Sequence, residues 1–506
     1  MLSRVTALPF FVMLMAAGAV AMLVPALHAL AYGDHRTSRI FLYGAILSGM
    51  LTALIALATR GYAPRSVARS QLMSLTAAFG LLPVMLAAPF YEAGYIRSYL
   101  HAWFEMVSSF TTTGATLYDS VGRLNNSLHL WRALVGWMGG FLVWVTAISI
   151  LAPMNLGGFE VRSAGAAGQG VRNLGQTARI ADPSERLARY SMRLAPIYVG
   201  LTGALWVGLI LAGDSGFVAL CHAMSTLATS GITPLSGFHV APSGIWGEVL
   251  VFGFLMFALS RLTFSRGMAG DERGRLWRDP EFGMALTVLA VVPTLLFLRH
   301  FLAAADDGMV EGIANGLRAF WGGLFTVLSF LTTTGFESRE WIGMSDFSRL
   351  ETPGLILVGL ALIGGGVATT AGGVKLLRVY SLFRHGQREL ERLVHPDSVG
   401  GSGAEARRIR RQGAYVAWIF FMLFALSIVA VMLLLSLTGV QFETAMVLAV
   451  AALSTTGPLA QVAAENPISY AGIPDSAKVI LALTMVLGRL ELLAIIALLN
   501  PEFWRD

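Results

Sequence analysis

Long apolar runs alternate along this chain with short polar segments that carry glycine, and the alternation predicts the architecture. A helix needs roughly 20 apolar residues to cross the hydrocarbon core of a bilayer. Ten stretches reach that length, at about 7–32, 38–59, 70–91, 129–153, 189–213, 244–264, 281–303, 353–382, 413–438 and 476–499. Four shorter apolar stretches, at about 100–111, 216–228, 318–331 and 442–454, fall between pairs of these spans. They are too short to cross, so re-entrant half-helices are expected. Non-helical backbone at membrane depth is tolerated only where protein buries it or where it lines a water-filled path. The predicted fold is all-α and polytopic. Four pseudo-symmetric repeats of span, pore half-helix, polar loop and span surround one pore, with two extra N-terminal transmembrane helices. The expected boundaries are 1–62 for the leading helices, then 63–160, 161–268, 269–392 and 393–506 for the repeats.

Composition supports the membrane reading. Of 506 residues, 55% are hydrophobic and 13% charged, against about 25% charged in a soluble domain. The length alone would permit several soluble domains, but the apolar runs override that prior. The net charge of +6 does not call for nucleic acid as a partner, because the basic residues lie between spans. They cluster at 60–69, 162–189, 266–278 and 384–411. Glu92, Asp119, Asp214, Asp306, Asp307, Glu337, Glu340, Asp346, Glu465 and Asp475 fall on the opposite side. The positive-inside rule then places the N-terminus in the cytoplasm, with Arg36, Arg39, Arg97, Arg123 and Arg339 as exceptions. Cys221, the single cysteine, excludes an intrachain disulfide framework and a cysteine-rich metal site, and reads as apolar filler. The first apolar run is too long for a signal-peptide core and reads as a span.

The polar segments carry the chemistry. Thr111-Thr112-Thr113-Gly114, Ala228-Thr229-Ser230-Gly231, Thr332-Thr333-Thr334-Gly335 and Ser454-Thr455-Thr456-Gly457 occupy the same slot in the four units. A single Thr-Thr-Gly is as often an ordinary turn. Four copies at near-regular intervals point to one repeated device. Loops converging on one axis can replace the hydration shell of a potassium ion with backbone carbonyls. Glycine accepts the backbone angles this needs, and the negative end of each half-helix favours a cation.

These residues, with several longer motifs, resemble the Trk/Ktr/HKT superfamily of potassium transporters, and most closely the bacterial Trk membrane subunit. Phe104-Glu105-Met106-Val107-Ser108 leading to Thr112-Thr113-Gly114-Ala115-Thr116 is similar to its first pore helix and filter. Trp131-Arg132 with Trp137-Met138-Gly139-Gly140, the stretch from Ile363 to Lys375, Gly488-Arg489-Leu490-Glu491 and the ending Pro501-Glu502-Phe503-Trp504-Arg505 resemble later motifs. The resemblance covers essentially the whole chain. It implies a selectivity filter built from Thr112, Thr113, Gly114 and Ala115; Thr229, Ser230, Gly231 and Ile232; Thr333, Thr334, Gly335 and Phe336; and Thr455, Thr456, Gly457 and Pro458. Potassium would be held at Gly114, Gly231, Gly335 and Gly457. Glycine at all four positions favours potassium, since in plant relatives a serine at the first accompanies sodium selectivity. Ile232 and Pro458 depart from the common pattern, which keeps a sodium-permeable or weakly selective relative as the alternative.

The resemblance also implies an intramembrane gate loop at 364–374, with Gly364, Gly365, Gly366, Thr369, Thr370, Gly372, Gly373 and Lys375. So many glycines and small residues do not hold a helix, although a close helix-packing patch has similar composition. It lacks the Gly-Lys-Ser/Thr ending of a phosphate-binding loop. Arg489 would face the ion path, or else pair with Glu491 or reach for the membrane surface. For Lys375 a gating contact and snorkelling both remain open. Glu105 is expected to hydrogen-bond filter backbone, and His101 and His222 to serve packing or the mouth. The resemblance further implies a homodimer in the bacterial inner membrane, no cofactor in this chain, and a cytoplasmic nucleotide-binding regulatory subunit. A membrane enzyme would need intramembrane His, Asp or Glu clusters, and the spans are nearly empty of them.

Overall fold

The fold is known from a computed structural model. It describes residues 10–60, 67–94, 96–152, 158, 183–260, 279–306, 313–341, 354–395, 411–464 and 466–490. The described residues are helical apart from turns and loops. The leading pair begins with α1 (Phe10–Ala21) and α2 (Leu23–Ala31), which together make one span of 22 residues. They break at Met22, one turn before Pro25, whose missing N–H leaves a carbonyl of the preceding turn free. The second leading helix is α3 (His35–Ala58). Next come α4 (Val67–Ala93), the half-helix α5 (Tyr99–Phe110) and α6 (Asn126–Thr146), which runs on into a π-helical turn at Ala147–Leu151. The second set is α7 (Pro183–Leu211), half-helix α8 (Gly216–Ala228) and α9 (Gly244–Leu255). The third is α10 (Pro280–Asp306), half-helix α11 (Ile313–Leu331) and the pair α12 (Gly354–Ile363) and α13 (Leu376–Val394). The last is α14 (Arg411–Leu437), half-helix α15 (Phe442–Leu453), a short α16 (Leu459–Val462) and α17 (Asp475–Leu490).

Among the described residues, seven helices are long and apolar enough to cross a membrane. The other three predicted spans differ in instructive ways. The stretch expected at 244–264 is helical over Gly244–Leu259. That expected at 353–382 is broken between Ile363 and Leu376, where the glycine-rich segment lies. The last is described only as far as Leu490. The C-terminal ends of all four half-helices fall within about a residue of the predicted limit, but α11, expected to begin at about 318, begins at Ile313.

Capping side chains lock the elements at one end of the bundle. Asp34 caps α3 by accepting from the Thr37 N–H (3.0 Å), and its second oxygen accepts from the Asn125 side chain (3.0 Å). Asn125 in turn caps α6 through the Leu128 N–H (2.9 Å). Such a cap contributes about 1 kcal/mol. Ser98 and Ser215 cap α5 and α8 in the same way.

Lipid tails are as apolar as leucine, so close packing, small residues and interhelical hydrogen bonds must hold the helices together. Trp131 of α6 is fully buried, lies edge-on to Phe41 at 5.6 Å and donates its indole N–H to the Leu86 carbonyl (3.2 Å). Gly139 of α6 touches the end of α5 so closely that an added Cβ would run into the Phe110 backbone. Gly488 of α17 stands in the same relation to Leu453 at the end of α15. These glycines bring spans and half-helices into backbone contact.

Candidate functional site

The half-helices end in loops with one shared geometry. In each, the N–H before the loop glycine donates to a carbonyl five residues back in the half-helix. These bonds run from Thr113 to Ser108 (2.8 Å), Ser230 to Ser225 (3.0 Å), Thr334 to Ser329 (2.8 Å) and Thr456 to Ala451 (2.8 Å). Two residues before each glycine a threonine takes the left-handed conformation, with φ of 54° at Thr112, 49° at Thr229, 56° at Thr333 and 55° at Thr455. A β-branched residue there is a true outlier, costs on the order of 1–3 kcal/mol, and persists only where the surroundings over-determine it. The sequence offered no sign of these strained threonines, because local preference disfavours them.

The four loops meet one another. A Cβ on Gly114 would collide with the Ser230 carbonyl, one on Gly231 with the Thr334 carbonyl, one on Gly335 with the Pro458 ring, and one on Gly457 with the backbone of Thr113 and Ala115. Each loop thus abuts the next, and the fourth returns to the first. The threonines and serines of all four are buried.

The fourth loop differs from the other three in backbone conformation. Gly114, Gly231 and Gly335 have φ of 76°, 65° and 81°, whereas Gly457 is not in the left-handed region. Its N–H donates to the Thr113 carbonyl at 2.6 Å and its carbonyl accepts from the Tyr470 hydroxyl at 3.0 Å. Pro458 restricts the residue before it and packs its ring against Gly231 and Gly335.

The segment 364–375 lies against the half-helix side of these loops. Gly364 and Gly373 take positive φ, as do Ala368 and Lys375. Its backbone is pinned by the Gly366 N–H to the Ala258 carbonyl (3.0 Å) and the Leu376 N–H to the Gly365 carbonyl (3.0 Å), and the Thr369 hydroxyl folds back onto Gly366 (2.7 Å). Toward the loops, Thr370 bonds the Leu227 carbonyl (3.3 Å) and the Thr229 hydroxyl (3.1 Å), and the Gly372 N–H donates to the Thr333 hydroxyl (2.7 Å). Gly372 also abuts the Ser454 carbonyl. Lys375 is buried and its ammonium turns back to the Ala371 carbonyl, so it does not snorkel.

Arg489 joins these parts. Its Nε donates to the Thr111 carbonyl (2.7 Å), Nη1 to the Thr370 carbonyl (2.7 Å), and Nη2 to the hydroxyls of Thr112 and Thr455 (2.9 Å for the latter). One guanidinium therefore ties the first and fourth loops to the 364–375 segment. Glu491, its alternative partner, lies outside the described residues. A cavity opens beside Arg489, Thr369, Lys375, Phe420 and Phe424.

Around the loops, Glu105 behaves as expected. It accepts from the Leu117 N–H (2.5 Å) and the Thr116 hydroxyl (3.0 Å) and is paired with Arg132 (2.9 Å). His101 sits at the start of α5, 3.0 Å from Asp475 and 3.2 Å from the Lys478 ammonium. Asp475 is held below the ordinary carboxylate range by the hydrogen bonds from His101 and Lys478. Cys221 is buried in an apolar cluster with Leu130, Ala133, Met224 and Ile232. Among the described residues no group of His, Cys, Asp and Glu is arranged to hold a metal ion.

Comparison with known proteins fits this geometry. The family profile described as "TrkH: Cation transport protein" matches residues 211–504. This chain belongs to the TrkH cation transport family. The Trk system potassium uptake protein TrkH of Vibrio parahaemolyticus is 32% identical over 418 residues, covering 80% of this chain and 79% of that protein. The protein of the same name from Escherichia coli K12 is 32% identical over 414 residues, covering 80% and 79%. The crystal structure of the potassium transporter TrkH from Vibrio parahaemolyticus superposes with a TM-score of 0.81 at 27% identity, over 100% of each chain. TrkH-type proteins are multi-pass membrane transporters of monovalent cations, not enzymes, and the all-α architecture here is theirs.

Proposed function

We propose that this chain takes up potassium across the bacterial inner membrane through a filter formed by the four glycine-bearing loops. The observation that carries the reading is the closed circuit of loops, each abutting the next and each ending a half-helix with the same five-residue hydrogen bond. Such a circuit gives backbone oxygens a common centre, where they stand in for an ion's hydration shell. On this reading the repeats 63–160, 161–268, 269–392 and 393–506 surround one pore behind the two leading helices. The segment 364–374 is the gate, held shut by Arg489 and by the threonines of the second and third loops. The relatives named as potassium uptake proteins support potassium as the ion. The N-terminus is cytoplasmic. The membrane potential drives entry at about 2.3 kcal/mol per charge per 100 mV. A homodimer and a cytoplasmic nucleotide-binding regulatory subunit complete the assembly, with the basic loops at 266–278 and 384–411 as docking surfaces for that subunit.

Growth of a potassium-uptake-deficient bacterium at low external potassium tests the reading. Wild type restores growth, and Gly114→Ser at equal membrane abundance loses potassium preference, because serine meets both a positive φ and the Ser230 carbonyl. Failure of abundant wild type to restore growth contradicts the potassium assignment. Unchanged selectivity in Gly114→Ser contradicts the filter.

A further inference from the structure

Nine residues before each loop glycine stand Glu105, His222, Thr326 and Leu448. Three of these side chains reach past their own loop to a polar group just beyond its glycine. Glu105 takes the Leu117 N–H and the Thr116 hydroxyl, and Thr326 takes the Ser338 N–H at 3.2 Å. His222 places Nε2 2.9 Å from the Thr233 hydroxyl. Leu448 has no group to offer. The register is shared while the chemistry is not, and the second loop alone uses an imidazole.

His222 is fully buried, edge-on to Phe238 at 4.9 Å and to Phe336 at 5.9 Å. Phe336 directly follows Gly335, so the ring touches the ends of both the second and the third loop. Nδ1 faces Asp214 Oδ2 at 3.5 Å, an ion-pair distance longer than an ordinary hydrogen bond, and neither atom has a hydrogen-bond partner among the described residues. Asp214 is itself fixed through Oδ1 by the Ser243 N–H at 2.8 Å, at the head of α9. The Asp214 charge beside Nδ1 favours the tautomer that carries the proton there, and in that tautomer Nε2 accepts from the Thr233 hydroxyl. That hydroxyl oxygen accepts in turn from the Leu235 N–H at 3.1 Å. Every hydrogen from the Leu235 N–H to the His222 ring then has one direction, with Asp214 facing the far side of that ring.

We propose that Asp214 and His222 are a positioning pair that fixes the far end of the second loop through Thr233, and so sharpen discrimination between potassium and sodium. This rests on the filter reading above. Neither residue touches the ion; both act through the loop.

The test measures potassium and sodium flux into proteoliposomes holding the full-length protein. His222→Ala and Thr233→Val each lower the potassium-to-sodium ratio by roughly three- to tenfold, the value of one buried hydrogen bond. The double variant is no worse than either single one, as expected for two ends of one interaction. His222→Gln, whose side-chain oxygen can accept from Thr233, recovers most of the ratio. A merely structural role would lower the amount of inserted protein and leave the ratio intact. If His222→Ala does not insert, Thr233→Val, which deletes a hydroxyl at nearly constant shape, decides alone. An unchanged ratio in Thr233→Val, additive losses in the double variant, or no recovery with glutamine overturns the pair's role. Wild-type liposomes that pass no potassium overturn the filter reading itself.

Discussion

Replacing Arg489 with alanine should raise potassium flux and reduce its selectivity together. Of the four hydrogen bonds from the guanidinium, three stay within the first and fourth loops and one, Nη1 to the Thr370 carbonyl, reaches the 364–375 segment. Moving that segment aside must break this bond, the neutral one it accepts from Thr229, and those it donates to the Leu227 carbonyl and the Thr333 hydroxyl. A hydrogen bond to a charged group contributes about 1.5–3 kcal/mol, so its loss shifts the closed-to-open ratio by roughly 10- to 150-fold. On the proposed ion path, removing a buried positive charge would lower the barrier further, in the same direction. The remaining bonds give the selectivity effect, because Thr112 and Thr455, both in strained left-handed geometry, lose a shared donor. Arg489→Lys keeps the charge without the fork of donors, and should fall between wild type and alanine. The assay is rubidium uptake at matched membrane abundance, with flux ratios measured in proteoliposomes. Flux at or below wild type in a well-inserted Arg489→Ala protein refutes the reasoning.

Further outcomes follow from single contacts. Thr370→Val removes only neutral bonds to Leu227 and Thr229 and should raise flux less than Arg489→Ala, by roughly two- to tenfold in rubidium uptake. Gly139→Ala forces a methyl into the Phe110 backbone and should cost about 1–3 kcal/mol, read as a lower melting temperature in detergent. Glu105→Ala leaves Arg132 buried without its partner and should cost about 3–5 kcal/mol, much of it recovered in Glu105→Leu/Arg132→Met. Burial works to raise the Asp34 pKa, but hydrogen bonds from Thr37 and Asn125 outweigh it and hold the value below the ordinary one. The depressed value means that its contribution is complete above the unfolded pKa of about 3.9 and is lost as the pH falls through the folded value. The melting difference between wild type and Asp34→Ala should therefore be constant from neutral pH down to about 4–5 and shrink only below the unfolded pKa of about 3.9.

Where a feature depended on run length or on residues adjacent in the chain, the sequence was a sufficient guide. The half-helices at 99–110, 216–228 and 442–453 are set by apolar runs too short to span, and the break after Ile363 by glycines that hold no helix. What escaped depended on contacts between distant segments. Local preference argues against left-handed threonine, yet Thr112, Thr229, Thr333 and Thr455 are all driven there by the loops around them. Arg489 was recognisable as a charge in a span, but its carbonyl partners come from Thr111 and Thr370, more than a hundred residues away. Pro458 stands out in the sequence as a departure from the common pattern and restricts Gly457 locally, while its packing against Gly231 and Gly335 needed the neighbouring loops. His222, expected at the mouth or in packing, is packed and buried between Phe238 and Phe336, while the placing of Asp214 beside it depends on the Ser243 N–H at the head of α9, a contact the sequence does not show.

The most direct test of the account is where a heavy potassium substitute binds. A crystal of the protein grown with thallium or rubidium should give an anomalous peak at the common centre of the loops bearing Gly114, Gly231, Gly335 and Gly457, ringed by their backbone oxygens. A well-occupied peak elsewhere in the bundle, with none among those loops, contradicts it.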